Sequence, residues 1–152
     1  MMQIAQSACR VGLNREYAVS QHEHNERNEE FHSNRLTTDL RRFRASLAPI
    51  QMNPALALGG ITYGWLYAAI QSMRKARKAE YLRRVLTPIM LVSAVNDRVV
   101  DSRDHVQVAK KLPDCKLHRI YEAEHEVLHE NDFVRRSFWR AFDGFSAPAL
   151  TD

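Results

Sequence analysis

The chain has 152 residues, of which 45% are hydrophobic and 26% charged, and carries a formal net charge of +4. That is the composition of one globular domain; it excludes a disordered, collagen-like or disulfide-scaffold chain. No run reaches the roughly 18 apolar residues of a membrane span, and no hydrophobic signal core opens the chain, so neither membrane insertion nor secretion is expected.

Residues 1–34 read as a polar N-terminal arm or loop. The stretch NREYAVSQHEHNERNEEFHSN lacks any sustained apolar period. His22 and His24, flanked by glutamates, are loose metal-ligand candidates, although a solvated charged loop explains them as simply. Residues 35–86 predict a helical segment. Thr37, Thr38 and Asp39 offer N-cap oxygens to a helix with Leu40, Phe43 and Leu47 on one face, ending before Pro49. The turn-rich NPALALGGITYGWLYAAI then leads into a second helix with Trp65, Leu66, Ala69, Ile70 and Met73 on one face. This helix is expected to run on through SMRKARKAEYLRR. There Arg74, Lys75, Arg77 and Lys78 crowd together as a solvated face or as a surface drawn to anionic lipid headgroups.

Residues 87–147 follow an α/β pattern. IMLVSA is a short apolar run expected of a buried parallel strand, and VNDRVVD is its exit loop. Asp101 or Ser102 caps a helix carrying Val106, Ala109 and Leu112, which ends before Pro113. KLHRIYE is the second strand and EAEHE its exit loop. A final helix starts near Asp132, with Val134, Phe138, Ala141, Phe142 and Phe145 as its buried stripe. Residues 148–152 form a tail. Cys9 and Cys115 show no C-x-x-C spacing, which fits a reducing, cytoplasmic setting. The positive charge leaves an anionic membrane surface or nucleic acid open as partners without demanding either.

Two chemistries compete for His125-Glu126-Val127-Leu128-His129. H-E-x-x-H holds zinc when both histidines lie one turn apart on a helix and a third protein ligand arrives from elsewhere. No glutamate follows Glu130, and no G-x-x-H follows His129; only Asp132, Asp143 and Asp152 remain. A motif this short also arises by chance. The alternative rests on position, because functional groups collect at the carboxyl ends of parallel strands. Asp97 sits just past IMLVSA and His125 just past KLHRIYE. An acid that orients an imidazole is two-thirds of a Ser-His-Asp triad, and acid before histidine is the α/β-hydrolase chain order.

The elements LTTD, NPALALGGITYGWL and TPIMLVSAVNDRVVD…HRIYEAEHEVLHEND together resemble the C-terminal half of bacterial lysophospholipase L2-type proteins. These belong to the monoacylglycerol-lipase-like branch of the α/β hydrolases. Asn34, Leu36, Thr37, Asp39, Asn53, Pro54, Gly59, Gly60, Thr62, Tyr63 and Trp65 carry the match to that family's cap. The resemblance implies Asp97 as catalytic acid and His125 as catalytic histidine, with Asp101 as runner-up acid. It implies lysophospholipid or monoacylglycerol as substrate and no metal or organic cofactor; no nucleic acid partner is expected, and the basic cluster Arg74, Lys75, Arg77 and Lys78 suggests peripheral contact at the inner membrane.

The family's nucleophile, a Ser in G-x-S-x-G, is not among these residues. The expected fold is therefore the C-terminal portion of an α/β hydrolase: a helical cap segment, then strand-helix-strand-helix, with an incomplete sheet. Such a chain is expected to be a truncated or split hydrolase, marginal or aggregation-prone until a missing N-terminal half completes it. The competing functions are an inactive remnant or lipid-surface module, and a zinc hydrolase built on HEVLH.

Overall fold

IMLVSA forms strand β1 (Ile89–Ala94) and pairs in parallel with strand β2 (Cys115–Ile120), in register from Ile89↔Cys115 to Ala94↔Ile120. The chain is represented by a computed structural model that describes residues 2–21 and 30–147; His22, His24 and the tail lie outside them. Among the described residues the sheet has these two strands. β2 starts one residue earlier than KLHRIYE predicts, and Tyr121 and Glu122 turn away instead of extending it. The pairing stops because β1 itself turns after Ala94; the Asn96 amide then donates to the Tyr121 carbonyl at 2.5 Å and ties the two exits together.

Helices α5 (Ser102–Ala109) and α6 (Asp132–Ser146) cover opposite faces of this ladder. Successive strand residues point to opposite sides. Ser93 reaches His105 of α5 at 2.9 Å, whereas His118, the partner of the neighbouring Val92, reaches Ser137 of α6 at 3.1 Å. The core lies on the α6 side, where Ala94, Ile120, Ala123 and Val134 are buried with Val92, Val127 and Phe138 against them. Asp101 caps α5 and Asn131 caps α6, each through its side-chain oxygen.

Two helical expectations need correction. Helix α2 (Leu40–Met52), capped by Asp39, continues through Pro49. Proline this near a C-terminus forfeits one backbone bond, and the Pro49 carbonyl still accepts from the Asn53 N–H at 3.0 Å. The second helix does not run on unbroken. Helix α3 (Tyr63–Ala76), capped by Thr62, stops before the one-turn helix α4 (Ala79–Leu82). Its expected apolar face is only partly covered, with Trp65 59% and Met73 54% exposed.

The N-terminal arm also departs from a simple loop. Helix α1 (Met2–Arg10) packs on α3 through the buried alanines Ala5 and Ala8. Residues 14–18 then run antiparallel to 61–64. Ala18 N–H donates to Ile61 at 2.9 Å, Tyr63 N–H to Glu16 at 3.0 Å and Gly64 N–H to Asn14 at 2.9 Å. This approach explains a glycine at 64, since a β-carbon there would lie 2.7 Å from the Asn14 carbonyl oxygen.

Two glycine substitutions should therefore move stability in opposite directions. Gly64→Ala forces the arm off α3 and is expected to cost about 1–3 kcal/mol. Gly144→Ala, in helix α6 with open space around the new β-carbon, should gain up to about 1 kcal/mol. Urea midpoints check both; a neutral Gly64→Ala would mean that the arm does not pack as described.

Candidate active site

Parallel pairing sends both strand exits toward one end of the sheet, and the two predicted residues meet there. Asp97 Oδ2 and His125 Nδ1 lie 2.8 Å apart across 28 positions of sequence. The other Asp97 oxygen accepts from the N–H groups of Val99 at 2.7 Å and Val100 at 3.0 Å, so the local sequence D-R-V-V builds its own turn around the carboxylate. The Asp97 side chain is 3% exposed and that of His125 35%. Burial pushes the Asp97 carboxyl up, but the Val100 N–H, the His125 ring and the Val99 N–H together outweigh it. Its pKa falls below the ordinary carboxylate value.

An ionised carboxylate only accepts, so this contact assigns the hydrogen to Nδ1 and leaves Nε2 as the basic nitrogen. Among the described residues no side chain hydrogen-bonds to Nε2. The arrangement can take up a proton at Nε2 and stabilise the resulting imidazolium through Asp97.

Asp101 is otherwise engaged. It accepts from the Arg103 N–H at 3.0 Å and forms a two-pronged pair with the Arg103 guanidinium, which holds its carboxyl at about 2. The H-E-x-x-H stretch does not form the helix a zinc site uses: His125 lies in a loop, and Val127–His129 is a single 3-10 turn. His129 Nδ1 instead lies 2.8 Å from Glu126 Oε2. Two further serine–histidine pairs, Ser93–His105 and His118–Ser137, have no carboxylate partner among the described residues. Ser93 is also 1% exposed and closed to any substrate.

What sequence reasoning missed is how the histidine loop is held. Residues 34–38 lie along it. Glu126 N–H donates to the Leu36 carbonyl at 2.8 Å, and the Thr37 hydroxyl to the His129 carbonyl at 2.8 Å. Glu130, fully buried, accepts from the Thr38 N–H at 3.1 Å, the Thr38 hydroxyl at 2.5 Å and the Glu124 N–H at 2.9 Å. Arg98 joins the Asn34 carbonyl at 2.9 Å to the Glu124 carboxylate at 2.7 Å. Thr37 and Thr38 are thus clamp residues, while Asp39 alone caps α2. The signal available was the N-x-L-T-x-D element, whose spacing says nothing of its partner some ninety residues away.

Residues 8–132 match the family described as serine aminopeptidase, S33 (Hydrolase_4). The "Probable lysophospholipase L2" of Haemophilus influenzae is 29% identical over 93 residues, which is 61% of this chain and 29% of that protein. A soluble variant of the monoglyceride lipase of Saccharomyces cerevisiae, solved with a substrate analog, superposes with a TM-score of 0.67 at 16% identity. It covers 95% of this chain and 47% of its own. The monoacylglycerol lipase of Paleococcus ferrophilus gives 0.62 at 13% identity, over 93% and 49%. The chain therefore spans less than a third of the curated relative and about half of each solved structure, and its architecture is an incomplete α/β-hydrolase fold. With the family match extending over most of its length, the chain belongs to the serine aminopeptidase S33 family of hydrolases.

Proposed function

We propose that this chain carries the acid and the histidine of a Ser-His-Asp ester hydrolase acting on lysophospholipid or monoacylglycerol, and that the nucleophilic serine comes from outside these 152 residues. The observation that carries the reading is the 2.8 Å contact between His125 Nδ1 and a buried Asp97, at the exits of adjacent parallel strands. The names of the relatives, a lysophospholipase and two monoacylglycerol lipases, supply the substrate class.

In this reading the serine oxygen attacks the acyl carbonyl while His125 Nε2 takes its proton. Asp97 keeps the ring oriented and stabilises the imidazolium. Collapse of the tetrahedral intermediate breaks the acyl C–O bond, and His125 returns the proton to the departing glyceryl oxygen. Water, activated by the same nitrogen, then hydrolyses the acyl-enzyme to free fatty acid. No metal or organic cofactor enters the scheme.

A second reading, a lipid-surface module without turnover, draws on the end of α3. Arg74, Lys75 and Lys78 line an open depression with Gln71, while Arg77 is paired with Asp104 at 2.9 Å. No helix among the described residues is long and apolar enough to cross a membrane, so contact of this kind would be peripheral. The two readings are compatible in a lipid hydrolase, and catalysis separates them.

The purified chain alone is expected to show no hydrolysis of a lysophospholipid, with or without a strong zinc chelator. Co-produced with a segment bearing G-x-S-x-G from a relative, it should gain turnover that His125→Ala reduces by about 10³-fold or more. Turnover by the chain alone that chelation abolishes would revive the zinc reading of HEVLH.

Acid stability follows from Asp97. Its folded pKa lies below the ordinary value of 3.8, so its contribution is present above that pH and is lost as pH falls through the folded pKa. Asp97→Asn should flatten that part of the stability–pH curve, as read from urea midpoints between pH 6 and pH 2. An unchanged curve would mean that Asp97 is not held as an anion.

Neutralising Arg74, Lys75 and Lys78 together to Gln should weaken binding to phosphatidylserine-containing vesicles by about 3 kcal/mol, roughly a hundredfold. Equal binding by the triple variant in a sedimentation assay would remove the membrane-contact proposal.

A further inference from the structure

We infer that Glu130 is the positioning residue of the His125 site, acting together with Thr38. The inference rests on the Ser-His-Asp reading and adds to it the group that sets the histidine's backbone. Glu130 has no solvent exposure. A buried carboxylate is tolerated only when donors surround it, and here they come from two places. Thr38 supplies its N–H to both oxygens at 3.1 Å and its hydroxyl to Oε2 at 2.5 Å; the Glu124 N–H supplies the other oxygen at 2.9 Å.

Glu124, whose N–H Glu130 holds, immediately precedes His125, and on the other side the Glu126 N–H is tied to the Leu36 carbonyl at 2.8 Å. The residues on either side of His125 are therefore both anchored to residues 36–38 through their N–H groups, Glu126 directly and Glu124 through Glu130. With its neighbours fixed in this way, the imidazole enters its 2.8 Å contact with Asp97 without needing to search for it. The hydrogen bonds of Glu130 run to Thr38 and Glu124 and not to Asp97 or the His125 ring, so it acts through the loop, not as a catalytic group.

The test reads the His125 ring directly in the full chain and needs no turnover. In the wild type the Nδ1 proton should give a low-field NMR resonance that Asp97→Ala abolishes. Glu130→Ala should abolish that resonance or speed exchange of its proton about tenfold or more, while the His105 and His118 ring signals persist. Glu130→Gln should restore it, because the amide oxygen can accept from Glu124 and the amide nitrogen can donate to the Thr38 hydroxyl.

An unchanged His125 resonance in folded Glu130→Ala would overturn the inference and leave the triad reading intact. Should Glu130→Ala fail to fold, Thr38→Val, which removes one donor and keeps the backbone, decides on the same signal: faster exchange supports the inference and no change overturns it. A wild-type resonance indifferent to Asp97→Ala would overturn the triad reading and this inference together.

Discussion

The parallel register of Ile89–Ala94 with Cys115–Ile120 is the constraint on which the rest of the molecule depends. Two parallel strands point their carboxyl ends the same way, so the loops that leave them emerge side by side. That alone brings a carboxylate three residues past Ala94 near a histidine five residues past Ile120. An antiparallel pair would have placed the two loops at opposite ends of the sheet. Parallel pairing also requires a crossover. The crossover here is α5, whose cap Asp101 lies only four residues beyond Asp97. The exit loop is consequently too short to wander, and the Asp97 carboxylate is held by the N–H groups of its own turn.

Strand pairing brings the two loops together but does not fix the conformation of the longer one. The stretch from Tyr121 to Asn131 contains no regular element apart from one 3-10 turn, and a polar loop of that length would ordinarily sample many conformations. Segment 34–38, some ninety residues earlier, supplies the missing order. It offers a carbonyl, two threonine hydroxyls and an amide to the loop, and the loop offers a buried carboxylate in return. Hydrogen bonds to a charged group are worth more than neutral ones, so Glu130 is an effective place to concentrate them. Residues 34–38 and the histidine loop are joined in this way through polar contacts.

The apolar surface tells a complementary story. The buried cluster on the α6 side of the sheet is small, and Trp139 and Phe142 of α6 remain about two-fifths exposed next to Phe138. Leu86, just before β1, is 78% exposed. Parallel sheets are ordinarily covered on both faces and continued at their edges. An incomplete fold that spans about half of each solved structure it superposes on accounts for these faces.

Much of this was legible in the sequence because the relevant signals are local. A six-residue apolar run announced β1, Asp39 and Asp101 were among the residues that announced helix starts, and Asp97 and His125 could be singled out because position after a strand is itself a sequence property. Helix α1 was not legible, since its packing face is made of Ala5 and Ala8, small residues that mark a core only once α3 is seen against them. The end of α2 was misplaced because Pro49 breaks a helix by rule, yet costs little in a last turn. The Thr38–Glu130 clamp could not be read at all. A carboxylate's burial and its donors are set by which distant backbone groups arrive, and no spacing within a chain encodes that. By itself the sequence determined the two strands and the helices that follow them, the chain order of acid before histidine and the absence of G-x-S-x-G from these residues. Tertiary structure alone decided that the two residues touch, that HEVLH is not a helix and that residues 34–38 hold the histidine loop, because each depends on contacts between segments far apart along the chain.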